Sequence, residues 1–451
     1  MRQGHRTIAR LLALVGTLAL SGCSLGGTTG PSPEAFAPLS AQRHVDKAGA
    51  VPFLWGVSTA GFQWEGREEL SQWARWDLAG KTEERRKNAA DGLNRYAEDL
   101  DLTRGMGCNA FRTSIEWARI EPRKGEFDQA AIAHYRRMFT AMRARGLTPV
   151  VTFMHFSYPA WLDEEGGWEN PQASDAYARF VDRVTREYAD LVDWYLTFNE
   201  PTVFVAGGYV SGQCPPGKKN DLVGAAMVLK HLVAAHNKAY DVVHRNDPVA
   251  RVAFNQYSAS WRLFPKRDQA DAGDDFLDGV LGTADSLPKL DYMAIDYYTR
   301  LSLMPFELPQ PWLWPVHPQG FYDTLKFYHR LTGKPVLVAE NGYANEDAKP
   351  RADGWSREAY LTAHVEQMQR AVKDGIPVLG YIHWSITDNY EWGSYRPRFG
   401  LFSVDCRNED QRRIPTEAAS IYRKVIAAGG VTRAISREVT YPAGYEPLVK
   451  P

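Results

Sequence analysis

Eight short apolar runs, each followed by a stretch with helical spacing, constrain this chain more than any other feature. The strand-like runs are Phe53–Val57, Cys108–Ile115, Leu147–Met154, Val192–Phe198, Ala250–Gln256, Tyr292–Tyr297, Pro335–Ala339 and Val378–Trp384. The helical stretches are Leu93–Met106, Asp128–Arg145, Ser174–Leu191, Leu222–Arg245, Asp271–Leu281, Phe321–Leu331, Ser356–Lys373 and Thr416–Ala428. Asn94 is a candidate cap, and Gly146, Gly333, Gly375 and Gly429 are natural stops, because glycine accepts the left-handed backbone that ends a helix. Strands separated by helices pair in parallel through crossovers. Eight such units predict a closed α/β barrel, the (β/α)8 or TIM architecture, as a single domain over residues 51–430. That span exceeds the roughly 250 residues typical of the fold, which predicts long βα loops.

On this map the carboxyl ends of the strands carry polar and aromatic groups. The fourth ends in Asn199-Glu200-Pro201, the seventh in Glu340-Asn341-Gly342. Arg112, His155, Tyr298 and Trp384 fall at the ends of the second, third, sixth and eighth. Barrel enzymes place catalysis on that face. Two carboxylates across a cleft suit cleavage of a glycosidic bond, where one protonates the leaving oxygen and the other attacks or activates water. A metal centre is the weaker reading: there is no His-x-His on the first strand and no His-Glu-x-x-His, and His231 and His236 are five apart, off the i, i+4 spacing of a shared helix face. No metal or cofactor is expected.

The termini carry a separate message. Arg2, His5, Arg6 and Arg10 precede the apolar run Leu11–Leu20, which is too short to span a bilayer and is followed by Leu20-Ser21-Gly22-Cys23. Residues 1–23 therefore read as an export signal ending in a lipobox, with Cys23 the lipidated residue. Residues 24–50 read as a flexible tether to the cell envelope, on its periplasmic or cell-surface side. Residues 431–451 form a C-terminal extension without strong periodicity. Cys108, Cys214 and Cys406 are too few and too scattered for a disulfide framework or zinc ribbon, and free thiols are expected. The net charge of −1 provides no basic face, which excludes nucleic acid as a partner.

From Phe53 to Asp405 the chain resembles the glycoside hydrolase family 1 β-glucosidases. The blocks that carry the resemblance are Phe53–Gly66, Phe111–Ile120, His155–Leu162, Thr197–Pro201, Val338–Gly342, and His383–Trp392 with Arg398–Leu401. The resemblance implies a retaining exo-β-glycosidase, a β-glucosidase, acting on terminal β-linked sugars of a glycoside or oligosaccharide by double displacement. It implies Glu200 as acid/base and Glu340 as nucleophile, with Arg112 and Tyr298 holding Glu340 and Asn199 contacting the sugar 2-OH. It places Gln63, His155, Trp384, Glu391 and Trp392 around the glycone. Glu391 stands where relatives acting on phosphorylated sugars carry a small residue, which implies an unphosphorylated sugar.

Two departures stand out. Asp296 precedes Tyr297-Tyr298-Thr299 where the family usually has Asn, which adds a third carboxylate. The segment between Glu200 and Glu340 is shorter than usual, so trimmed loops after the fourth to sixth strands are expected. Two alternatives keep the barrel and change the outcome: a transglycosylating β-glycosidase, and a carbohydrate-binding pseudoenzyme.

Overall fold

In a computed structural model of the protein, which describes residues 36–42, 44–46, 49–258, 289–300, 310–408 and 410–450, eight parallel strands close on themselves. They are β1 (Leu54–Ser58), β2 (Ala110–Ser114), β3 (Thr148–Met154), β4 (Trp194–Asn199), β5 (Arg251–Tyr257), β6 (Met293–Asp296), β7 (Val336–Asn341) and β8 (Val378–Trp384). Consecutive strands are neighbours, and β8 closes on β1 with Gly380 opposite Leu54 and Trp384 opposite Ser58. The seam is tight there: a Cβ on Gly380 would stand 2.5 Å from the Leu54 carbonyl oxygen.

All eight strands are buried on both faces, apart from the half-buried end residues Thr148 and Tyr257. This is why they read as unbroken apolar runs rather than alternating ones. Inside the barrel, Leu54, Ala110, Val150, Trp194, Leu196, Ala253, Ala294, Leu337 and Ala339 pack together. Outside it run α1 (Gly92–Gly105), α2 (Gln129–Ala144), α3 (Ala173–Tyr188), α4 (Leu222–Asn246), α5 (Pro318–Thr332), α6 (Arg357–Lys373) and α7 (Glu417–Ala428). Asp128 caps α2 by accepting from the amides of Ala130 and Ala131, and Asp221 caps α4 through Gly224. Gly333 and Gly429 end α5 and α7 with φ of 64° and 72°.

The expected boundaries hold to within a few residues, with one correction. Asn94 does not cap α1; it lies inside the helix, and Asp91 occupies the cap position. The backbone shows why: the Asp91 carbonyl accepts from the amides of Asn94 and Arg95, so helical bonding already starts at Asp91. The C-terminal extension is ordered by contact. It forms a short helix, Arg433–Glu438, buries Ile435 and Val449, and donates the Leu448 amide to Glu366 on α6 at 2.8 Å. Cys108 and Cys406 are buried and Cys214 half-buried, all three unpaired. Among the described residues no helix is long and apolar enough to cross a membrane. The export segment with Cys23, the helical stretch Asp271–Leu281 and part of the loops after β5 and β6 lie outside the described residues.

Candidate active site

Strict alternation along β7 and β4 would misplace Glu340 and Asn199. On β7, Leu337 and Ala339 face the barrel interior, so alternation would turn Glu340 outward. An extra residue interrupts the register: Ile295 and Asp296 of β6 face Val338 and Glu340, and Tyr381 and His383 of β8 face Val338 and Asn341. The bulge turns Glu340 into the cleft and sends Asn341 outward, where it donates to Tyr360 of α6 at 3.0 Å. The end of β4 repeats the device. Leu196 and Asn199 face Ala253 and Asn255 of β5, so Phe198 packs outward on Tyr177 of α3 and Asn199 points in. Glu200 follows with a left-handed backbone, φ 42° and ψ 60°, and Pro201 opens the next helical turn. Such a conformation is costly for a residue with a side chain and clusters at functional sites.

The bulges bring together the charged residues foreseen from the sequence. The Arg112 guanidinium, wholly buried, donates to Glu340 Oε1, to the Ala339 carbonyl at 3.1 Å and to Asn199 Oδ1 at 2.6 Å. Tyr298 donates its hydroxyl to Glu340 Oε2 at 2.5 Å. Both oxygens of Glu340 thus meet strong donors. Glu200 sits otherwise: burial pushes its carboxyl well above the ordinary range, with the neighbouring carboxylates of Asp296 and then Glu340 adding to the shift. One oxygen each of Glu200, Asp296 and Glu340 lie within 4.8 Å of one another. This is the one carboxylate grouping among the described residues compact enough for a cation. We do not assign its members as metal ligands, since both oxygens of Glu340 and Asp296 Oδ2 are already taken by protein donors.

A second group lines the cleft beside β1, β3 and β8. Gln63 donates to Glu391 Oε2 at 2.9 Å, and the Trp384 indole donates to Glu391 Oε1 at 3.1 Å. Burial raises the Glu391 carboxyl to about 8. The His155 ring is near-parallel to Trp384 and Trp392, with centroids 5.8 and 5.7 Å away. Burial, helped by the Arg112 charge, holds His155 well below its usual value and so neutral. Gln63 Oε1 and His155 Nδ1 are buried and meet no protein partner. Unpaired buried polar atoms of this kind call for a ligand or an ordered water. A Cβ on Gly342 would fall 2.0 Å from the Trp384 carbonyl oxygen, so glycine is required where β7 leaves the site.

Sequence reading missed Asn255. It is fully buried on β5; its Nδ2 donates to Asn199 Oδ1 at 2.6 Å and to Asp296 Oδ2, and its Oδ1 accepts from Arg112 at 3.3 Å. The available signal was an amide inside the apolar run Val252–Tyr257. Thr152 of β3, which accepts from Arg112 Nε at 3.3 Å, was also missed. Of the expected site residues, Cys23 alone lies outside the described residues.

The chain is similar to known proteins in sequence and in fold. The sequence profile of "Glycosyl hydrolase family 1" matches residues 49–273 and 303–431. A β-galactosidase of Pyrococcus woesei is 27% identical, over 86% of this chain and 98% of its own. The galactolipid galactosyltransferase SFR2, chloroplastic, of Arabidopsis thaliana is 31% identical, over 80% of this chain and 61% of its own. The solved structure of a β-glucosidase from Thermotoga maritima in complex with noeuromycin superposes with a TM-score of 0.75 at 28% identity, covering 84% of this chain and 98% of that one.

Proposed function

Because the chain belongs to glycosyl hydrolase family 1, we propose that its retaining O-glycosyl hydrolase activity is that of an exo-acting β-glucosidase in which Glu340 is the nucleophile and Glu200 the acid/base. The observation that carries this reading is the contrast between the two glutamates: Glu340 is met by Arg112 and Tyr298, while Glu200 meets burial and two carboxylates. Their approach to within 4.8 Å, oxygen to oxygen, fits the retaining geometry, where the carboxyl groups stand about 5–5.5 Å apart, rather than the inverting one, which leaves about 6.5–9.5 Å for a water.

In the first step Glu200 gives its proton to the glycosidic oxygen as Glu340 attacks the anomeric carbon. The aglycone leaves as an alcohol, and a glycosyl ester forms on Glu340. In the second step Glu200, now ionised, takes a proton from water, which displaces the ester. Asn199 has its oxygen committed to Arg112 and Asn255. Its amide nitrogen is then the donor for the sugar 2-OH, where a hydrogen bond strengthens at the oxocarbenium-like transition state. Gln63, His155 and Glu391 supply polar contacts to the glycone, and Trp384 offers an apolar face to its ring. Proton NMR of the first-formed sugar from an aryl β-glucoside is expected to show the β-anomer. An α-anomer would overturn the mechanism, and a panel in which aryl β-galactosides or fucosides turn over fastest would overturn the choice of glucose.

One observation favours a second outcome at the same site. The match to a galactosyltransferase supports passing the glycosyl ester to an acceptor alcohol as well as to water. Product analysis with added alcohol separates the two. For the amino terminus we propose export and lipid anchoring through Cys23, on the strength of the basic, apolar and Leu20–Cys23 pattern. Cells fed labelled palmitate are expected to label the protein, and Cys23→Ala to lose the label and move the protein out of the membrane fraction. Label retained in the variant would refute the anchor.

A further inference from the structure

Among the described residues, Asp296 is the carboxylate beside Glu200 and Glu340 that the reaction as described does not use. It is wholly buried at the end of β6, beside Glu340 of β7 and Tyr257 of β5 in the barrel register. Its Oδ2 accepts from Asn255. Among the described residues no amide, hydroxyl or guanidinium reaches Oδ1, and one oxygen each of Asp296 and Glu200 lie within 4.8 Å of each other. With Glu340 also ionised, two further charged carboxylates so close in a buried cleft are strongly disfavoured, and a buried carboxylate oxygen without a donor is costly. A single proton between them removes both problems at once.

Resting on the reading of Glu200 as proton donor, we propose that Asp296 and Glu200 hold one proton in common, and that Asp296 is the positioning residue that keeps this proton on the acid while Glu340 stays ionised. Charge is conserved across the first step. Before it, the site holds ionised Glu340, the singly protonated Glu200–Asp296 pair and the Arg112 cation. Afterwards Glu340 is a neutral ester, the proton has left with the aglycone alcohol, and Glu200 and Asp296 are both ionised against the same Arg112. The other titratable groups facing the pair are Tyr257 and Tyr298, both held protonated by burial. The carboxylates of Asp296 and Glu200 are each raised by burial and by the charge of Glu340, and Asp296 adds to the rise on Glu200.

The test is the pH dependence of kcat/KM on aryl β-glucosides with poor leaving groups, for the wild type, Asp296→Asn and Glu200→Ala. Asn keeps the shape of Asp296 and removes its charge, so Glu200 should lose its proton at lower pH. The alkaline limb is expected to move about 1–2 pH units toward acid. Glu200→Ala should abolish that limb. A limb that survives Glu200→Ala would sink the acid assignment itself; a limb abolished by Glu200→Ala yet unmoved by Asp296→Asn would sink only the shared proton. A second measurement needs no variant. In infrared difference spectra between free enzyme and enzyme trapped on Glu340 by a 2-fluoroglucoside, a protonated-carboxyl band should respond to isotopic labelling of aspartate as well as glutamate. A band that responds to glutamate alone overturns the sharing.

Discussion

Glu340→Gln is expected to reduce turnover of an aryl β-glucoside on the order of 10⁵-fold, the scale seen when a covalent nucleophile is removed from a preorganised site. The amide has no lone pair basic enough to attack the anomeric carbon and cannot carry the glycosyl ester. Its oxygen can still accept from Arg112, and its NH2 then faces the Tyr298 hydroxyl, which can turn to accept, so the loss should be chemical rather than architectural. The Arg112 charge nevertheless loses its counter-ion in a fully buried position, and removing one member of a buried pair destabilises a protein. The thermal midpoint should therefore fall while the transition stays cooperative. Mass spectrometry after reaction of the wild type with a 2-fluoroglucoside provides an independent check: the label should reside on the peptide containing Glu340. A label on the peptide containing Glu200 would reverse the two roles.

Glu200→Ala is expected to slow aryl glucosides with poor leaving groups by about 10²–10⁴-fold, the usual contribution of a general acid. Activated leaving groups need no proton, so their first step should be nearly untouched and the glycosyl ester should accumulate. Added azide, an anion small enough for the vacated space and needing no general base, should then restore turnover and yield the β-glycosyl azide. The pH dependence follows from the sign of the shift. Burial and like charge raise the Glu200 carboxyl, so the wild type keeps its acid to higher pH than an ordinary carboxyl would and loses activity as pH rises through the shifted value. The variant should lack that alkaline fall. Equal slowing of good and poor leaving groups, with no rescue by azide, would count against Glu200 as the acid.

Much of the site was legible because strand ends are legible. A parallel strand buried on both faces needs a continuous apolar run, so Val192–Phe198 and Pro335–Ala339 announce themselves, and the first polar residues after them mark the cleft. Asn255 escaped because the same logic hid it: it lies inside a run otherwise apolar enough to read as pure core. Its importance comes from what it touches, Arg112, Asn199 and Asp296, and those contacts join four strands distant in the chain. Asp296 was visible as a departure from a familiar motif, but its consequence depended on a distance to Glu200.

The order of strands and helices, the barrel they close into and the approximate ends of β4 and β7 follow from the linear pattern, because burial on both faces of a parallel sheet dictates composition residue by residue. The direction in which Glu340 and Asn199 point does not. Period-two alternation assigns Glu340 to the outer face. Register slips against β6 and β8, and of β4 against β5, reverse that assignment. A bulge is settled by what its neighbours offer: Tyr360 of α6 takes Asn341, Tyr177 of α3 takes Phe198, and Arg112 draws in Glu340 and Asn199. These partners are supplied by other elements, so only the folded barrel decides which carboxylates face one another and which of them keeps a proton.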